Sequence, residues 1–178
     1  MKIFVIVGMP ASGKNIARTY AESKGFPYFA TGDIVRAEVK ARGLEPNAEN
    51  TAVVSTDLRG QDGMGVTRRA LAATLSAGTT VAFLEGMRSW PEIELIGQKA
   101  ERIVVAFLAP RNVRLQRIIS RGRSDDSPAA FTERDRREID YGSAIPVALA
   151  DEYVLNTGTT EEALTCLDEI VRSHSTNP

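Results

Sequence analysis

Apolar positions along the chain fall into two kinds of run. Residues 3–7 (IFVIV) are continuous β-branched and aromatic, the pattern of a strand buried on both faces. Further strand-type runs at 27–30, 81–84, 102–108 and 153–155 bring the number of predicted strands to five. Between them lie helical patterns over about 14–24, over 33–42 with Gly43 as its stop, over 111–121, and from about 129 onward. After the second strand there is no strand signal until residue 81, only helical patterns at 47–58 and 65–77 separated by the turn-forming GQDG at 60–63. Strands of the buried type alternating with helices predict an α/β fold with a parallel sheet, interrupted by a helical insertion at about 32–80. The polar GRSDDSP link at 122–128 is placed to form a short lid over about 121–134, and the final SHSTNP reads as disordered. A single domain over 1–178 is expected.

Composition narrows the chemistry. The chain is 43% hydrophobic and 25% charged with a formal net charge of −1, and no apolar run approaches the roughly 20 residues of a membrane span. Neither a membrane nor a nucleic acid partner is expected. The apolar MKIFVIV leads directly into a glycine-rich loop and is too short for a secretory signal, so a cytoplasmic protein is predicted. The single cysteine, Cys166, excludes an internal disulfide and reads as a core filler. The single histidine, His174, lies in the polar tail and reads as surface, which leaves no histidine for acid–base catalysis. Arginine outnumbers lysine 17 to 5, a bias that reflects either genomic base composition or repeated recognition of phosphate by planar guanidinium forks.

Position favours phosphate. Gly8-Met9-Pro10-Ala11-Ser12-Gly13-Lys14-Asn15 follows the first strand and opens the first helix, the context in which G-x-x-x-x-G-K forms a phosphate-binding P-loop, or Walker A motif. The glycines let successive N–H groups turn toward one centre, the helix N-terminus adds partial positive charge, and Lys14 brings a full one. Gly8, Pro10, Ala11, Ser12, Gly13, Lys14 and Asn15 are therefore expected to hold a nucleoside triphosphate, with ATP favoured because no Asn-Lys-x-Asp guanine signature occurs. Asn15 stands where a Ser or Thr hydroxyl normally meets Mg²⁺. Its amide oxygen is suited either to direct ligation or to holding a metal-bound water, with metal use weakened.

The loop GMPASGK, then ATGDIVR at 30–36 and LEGMR at 84–88, resemble adenylate kinase and its relatives in order and spacing. The stretches TGDIVRAEVKARGLEPNAEN and ADEYVLNTGT resemble more closely an uncharacterised, mainly archaeal family of adenylate-kinase-related proteins, also described as dephospho-coenzyme A kinase-like. The resemblance implies a P-loop three-layer fold with strand order 2-3-1-4-5, an acceptor-binding helical insertion and a lid. It implies that Thr31 and Arg36 line the acceptor site and that Glu85 takes the acidic Mg²⁺ position. Arg88 would hold the acceptor phosphate, although a proline usual before it is absent. It further implies that Asp33, which could otherwise cap its helix, holds a metal-bound water. Asn156 and Gly158 would lie on the loop that meets the nucleotide base, through backbone. Arg114, Arg117 and Arg121 share one helical face, opposite Leu115, Ile118 and Ile119. With Arg123 and Arg134, and then Arg137, Arg117 and Arg121 resemble lid arginines that close on a transferring phosphoryl group, with Asp125 and Asp126 able to orient them.

The expected function is transfer of the γ-phosphoryl group of ATP, with Mg²⁺, to a small phosphate acceptor, most simply a nucleoside monophosphate. A phosphate needs no general base because it is already anionic near neutral pH. Two alternatives stay open: a hydroxyl acceptor, as in dephospho-coenzyme A kinase, with Asp33 as base, and a nucleotide-binding regulatory module with weak ATPase activity.

Overall fold

In the computed structural model, residues 1–122 and 126–175 are described. The chain runs β1 (Lys2–Val7), α1 (Asn15–Lys24), β2 (Tyr28–Ala30), α2 (Thr31–Ala41), α3 (Ala48–Arg59), α4 (Gly65–Ser76), β3 (Val81–Glu85) and α5 (Trp90–Gly97). It continues through β4 (Glu101–Leu108), α6 (Arg111–Arg121), α7 (Pro128–Asp140), α8 (Ala144–Ala148), β5 (Glu152–Leu155) and α9 (Thr160–Ser175). The five strands form one parallel sheet in the order β2-β3-β1-β4-β5. All five predicted strands are present, and the expected strand order is the observed one.

The sheet is covered on both faces, which is why β1 carries no polar alternation. On one face Phe4, Ile6, Phe83 and Phe107 pack against Ala17 and Tyr20 of α1 and Leu167 and Val171 of α9. On the other, Ile3, Val5, Leu84 and Val104 meet Leu71 of α4 and Ile93 and Ile96 of α5. The insertion closes on a small core of its own, with Val35 and Val39 of α2, Val54 and Leu58 of α3, and Val66 of α4. Parallel register between β1 and β3 sets Ile6 beside Glu85, so the loops after both strands open at the same edge of the sheet, where ligands of open α/β folds bind.

Three expectations need correction. Helix α9 runs through Ser175, so 173–175 are ordered: His174 donates or accepts at 2.8 Å with Glu152 and lies edge-on to Phe4, at the end of the sheet away from the glycine loop. Cys166 only borders the core and is half-buried. Helix α6 does not separate arginines from apolar residues either. Arg114 is buried beside Ile118 while Ile119 is exposed, because Asp135 of α7 reaches across to Arg114 with two bonds of 2.6 and 2.8 Å. The pair is sealed by Phe131, whose ring lies under the Arg114 guanidinium.

A buried fork of this kind stabilises little relative to an apolar pair, but halving it strands a charge. Asp135→Ala is expected to cost about 3 kcal/mol of stability. Denaturant unfolding measures it, and a loss below about 1 kcal/mol would show that water already solvates the pair.

Candidate functional site

The glycine loop is the first element of the site. Gly8 has φ 147° and Gly13 φ 102°, and a Cβ on Gly13 would fall 1.9 Å from the Asn156 amide, so the loop lies too close to its support for a side chain. Ala11 also adopts a positive φ, 61°. Three successive carbonyls of the loop are held from behind. Arg114 donates to Pro10 O at 3.1 Å, Arg117 to Ala11 O at 3.3 Å, and the Asn156 Nδ2 to Ser12 O at 2.8 Å. Arg117 also donates to Asn156 O at 2.9 Å, which joins α6 and the loop after β5 into one brace. With its carbonyls occupied at the rear, the loop leads into α1, whose N-terminus carries partial positive charge. Lys14 curls over it, donating to Gly8 O at 2.8 Å and Met9 O at 3.3 Å. Burial pushes the Lys14 ammonium pKa down, against the opposing pull of Glu85 and Glu138.

Lys14 opens into a cleft of about 770 Å³ that runs from the loop to the insertion. Gly8, Pro10 and Asn15 line it at one end; Thr31, Asp33, Arg36, Glu85 and Arg88 line it beyond. The structure thus brings Gly8, Pro10, Lys14, Asn15, Thr31, Asp33, Arg36, Glu85 and Arg88 into one cavity, while Ala11, Ser12 and Gly13 do not line it. Thr31 donates to Gly86 O at 3.2 Å, a contact that needs the glycine: a Cβ on Gly86 would sit 2.0 Å from the Thr31 hydroxyl. Asp33 makes no helix cap. Its carboxylate lies between Arg18, at 2.5 Å, and Arg36. Burial alone would raise its pKa, but the two guanidinium bonds outweigh it and hold the group below the ordinary carboxylate value.

Glu85 ends β3 and accepts from the Tyr28 hydroxyl at 2.8 Å. Burial, reinforced by Glu85, pushes the Tyr28 phenol well up, so it remains a donor. Arg88 is held three ways: Nε lies 3.3 Å from Glu138, the guanidinium covers the Tyr141 ring at 5.2 Å, and the backbone N–H donates to Glu92 at 2.8 Å. Glu92 is buried yet fully bonded, also accepting from Ser89 N and from the Thr67 hydroxyl of α4. It therefore ties the Arg88 loop to the insertion. The Ser89-x-x-Glu92 pattern is a capping box that marks this helix start in the sequence.

Arg117, Arg121 and Arg134 do not line the cleft. Arg117 serves the brace, while Arg121 and Arg134 both donate to Asp126, whose carboxylate is enclosed. Asp126 thus orients two arginines as expected; Arg123 and Asp125 lie outside the described residues. The stretch 121–134 expected as a lid holds the end of α6 and the start of α7, with 123–125 outside the described residues. Asn156 and Gly158 also lie outside the cleft lining, and the part of Asn156 that reaches the loop is its buried side-chain amide, which donates to Ser12 O. Gly158 packs against Glu162, which closes a cap on α9 through Thr159 N at 2.8 Å. Tyr28, Arg18, Glu92 and Glu138 are site residues that sequence reading missed.

Among the described residues no group of three or more acidic, histidine or cysteine side chains forms a metal cage. Asn15, Glu85 and Asp33 offer oxygen only, a set that suits a hard cation shared with phosphate oxygens, as Mg²⁺ commonly is. Among the described residues, too, no helix is long and apolar enough to cross a membrane.

The fold and the braced loop define an α/β protein of the P-loop class. A family model described as AAA domain matches residues 7–132. The UPF0200 protein of Methanosarcina mazei is 39% identical over 166 residues, covering 90% of this chain and 89% of the relative. That of Methanosarcina acetivorans is 36% identical over 179 residues, covering 98% and 96%. The chain belongs to the UPF0200 family. Among solved structures, TT1252 from Thermus thermophilus superposes with a TM-score of 0.70 at 19% identity over 98% of each chain. Shikimate kinase from Aquifex aeolicus superposes with a TM-score of 0.60 at 16% identity over 100% of each. At these identities the likeness is one of fold.

The brace makes a direct prediction. Asn156→Ala leaves Ser12 O without its donor and frees the loop, at a cost of about 1–3 kcal/mol. ATP affinity measured by calorimetry should fall about tenfold if about 1.4 kcal/mol of this reaches the bound state; an unchanged affinity would mean that the loop holds its shape without the amide.

Proposed function

We propose that the protein is an ATP- and Mg²⁺-dependent phosphotransferase that moves the γ-phosphoryl group to the phosphate of a small acceptor, most simply a nucleoside monophosphate. The observation that carries this reading is the continuity of the cleft from Lys14 to Arg36 and Arg88. Phosphoryl transfer asks little covalent chemistry of a protein and much positioning and charge neutralisation. Lys14 supplies charge at the donor end. Arg36 and Arg88, now satisfied by Asp33, Glu138 and Tyr141, would exchange those partners for the acceptor phosphate. Bound Mg²⁺ would neutralise the donor phosphates, with Asn15 and Glu85 as its protein partners and Asp33 beside them. Arg121 and Arg134 would serve the transferring group by moving inward from Asp126 together with the lid.

The state of Asp33 supports a phosphate acceptor over a hydroxyl. A carboxylate clasped by two guanidinium groups, with its pKa held down, is a weak base. The structural neighbours include shikimate kinase, whose name denotes a small-molecule acceptor, so phosphotransfer to small molecules is a use this fold supports.

The decisive assay follows ADP formation from Mg²⁺-ATP with each nucleoside monophosphate in turn, with dephospho-coenzyme A and shikimate alongside. One monophosphate is expected to stimulate turnover strongly, and Lys14→Ala to reduce that rate on the order of a hundredfold or more. Stimulation by a hydroxyl acceptor alone would refute the phosphate reading, and ATP binding without any acceptor-dependent rate would make the protein a regulatory module. Separately, Asn15→Thr restores a hydroxyl at the helix start and should lower the Mg²⁺ concentration for half-maximal rate; no change would remove position 15 from the metal.

A further inference from the structure

Glu85 is one methylene longer than an aspartate, and the extra torsion lets its carboxylate wander from the strand tip. The structure removes that freedom from an unexpected direction. In the β2–β3 pairing, Tyr28 lies opposite Phe83 and Ala30 opposite Glu85, so Tyr28 and Glu85 are diagonal neighbours on one face of the sheet, within reach for long side chains. The Tyr28 hydroxyl donates to Glu85 Oε2 at 2.8 Å, and among the described residues Oε1 has no hydrogen-bonded partner. The Tyr28 ring is itself fixed. It stacks on Phe83 at 6.3 Å between centroids with 15° between planes, and the Arg18 guanidinium covers it at 4.6 Å. That same guanidinium donates to Asp33 Oδ2. One tyrosine therefore stands behind two of the cleft carboxylates, holding Glu85 directly and Asp33 through Arg18.

We infer that Tyr28 is a positioning residue for the metal: its hydroxyl fixes Glu85 so that the other carboxylate oxygen is presented to nucleotide-bound Mg²⁺. This rests on the proposed role of Glu85. It accounts for how a glutamate serves in a position where the longer side chain would otherwise be loosely held. A phenol bonded to a carboxylate at the edge of a core also satisfies two polar groups, so the test must read the metal and not stability alone. Phenylalanine keeps the ring, its stacking on Phe83 and its cover by Arg18, and removes only the donor.

The experiment measures affinity of the full chain for a non-hydrolysable ATP analogue with Mg²⁺ and with EDTA, in the wild type, Tyr28→Phe, Glu85→Gln and the double variant. The ratio of the two affinities is the coupling between metal and nucleotide, and it requires no turnover. Loss of an outer-shell partner typically costs 10–100-fold in metal affinity, so Tyr28→Phe should lower the ratio by about tenfold. In the Glu85→Gln background it should lower the ratio no further, and the melting temperature should move by no more than a few degrees. An unchanged ratio in Tyr28→Phe with a lowered ratio in Glu85→Gln would overturn the role of Tyr28 and leave Glu85 as a metal residue. An equal effect of Tyr28→Phe in both backgrounds would also overturn it, since the tyrosine would then act by another route. A ratio unchanged in all variants would overturn the role of Glu85 as well.

Discussion

Three consecutive carbonyls decide the character of this protein. A loop that turns its N–H groups toward an anion must turn carbonyls the other way, and buried carbonyls without donors are costly. Here Pro10, Ala11 and Ser12 are met by Arg114, Arg117 and Asn156. None of these donors belongs to the loop. Two come from α6, one from the end of β5, and Arg114 is itself locked by Asp135 of α7. The cradle is therefore a property of the assembled C-terminal half, and its rigidity depends on elements more than a hundred residues away in the chain.

The half of the cleft beyond Lys14 follows a different logic. Its cations are kept in place by carboxylates and two aromatic rings: Arg36 by Asp33, Arg88 by Glu138 and Tyr141, Arg18 by Asp33 over Tyr28. Such pairs are partly exposed and individually worth little to stability. Their effect is to hold guanidinium groups near the cleft with their charge compensated. The buried Glu92 adds the stiff part of this half, because it joins the Arg88 loop to α4 and so makes the position of Arg88 depend on the insertion.

Local pattern carried the fold far. β-branched and aromatic runs made all five strands legible, and the glycine loop between a strand and a helix was legible too, although only β1, β3 and β4 are central and the edge strand β5 exposes Tyr153 and Leu155. The cleft residues Thr31, Asp33, Arg36, Glu85 and Arg88 were legible as well, through their motif spacing. The three-and-four spacing of Arg114, Arg117 and Arg121 puts them on one face of α6, but does not say what that face meets. Helical spacing says which residues share a side, and only the neighbour decides whether that side meets water; an aspartate on α7 made it the interior for Arg114. The role of Asn156 depends on a neighbour in the same way, since it lies in a bond to Ser12, 144 residues away.

The sequence by itself determined the order of elements, the presence of a phosphate-binding loop and the oxygen-only chemistry around it, because those follow from side-chain type, period and short-range spacing. Tertiary structure alone decided which charges are paired and which are available. It assigned Arg117 to the loop carbonyls, Arg121 and Arg134 to Asp126, and Tyr28 to Glu85. The physical reason is that a guanidinium or a phenol bonds to whatever acceptor folding brings within about 3 Å, and that proximity is set by the packing of whole elements, which no local pattern encodes.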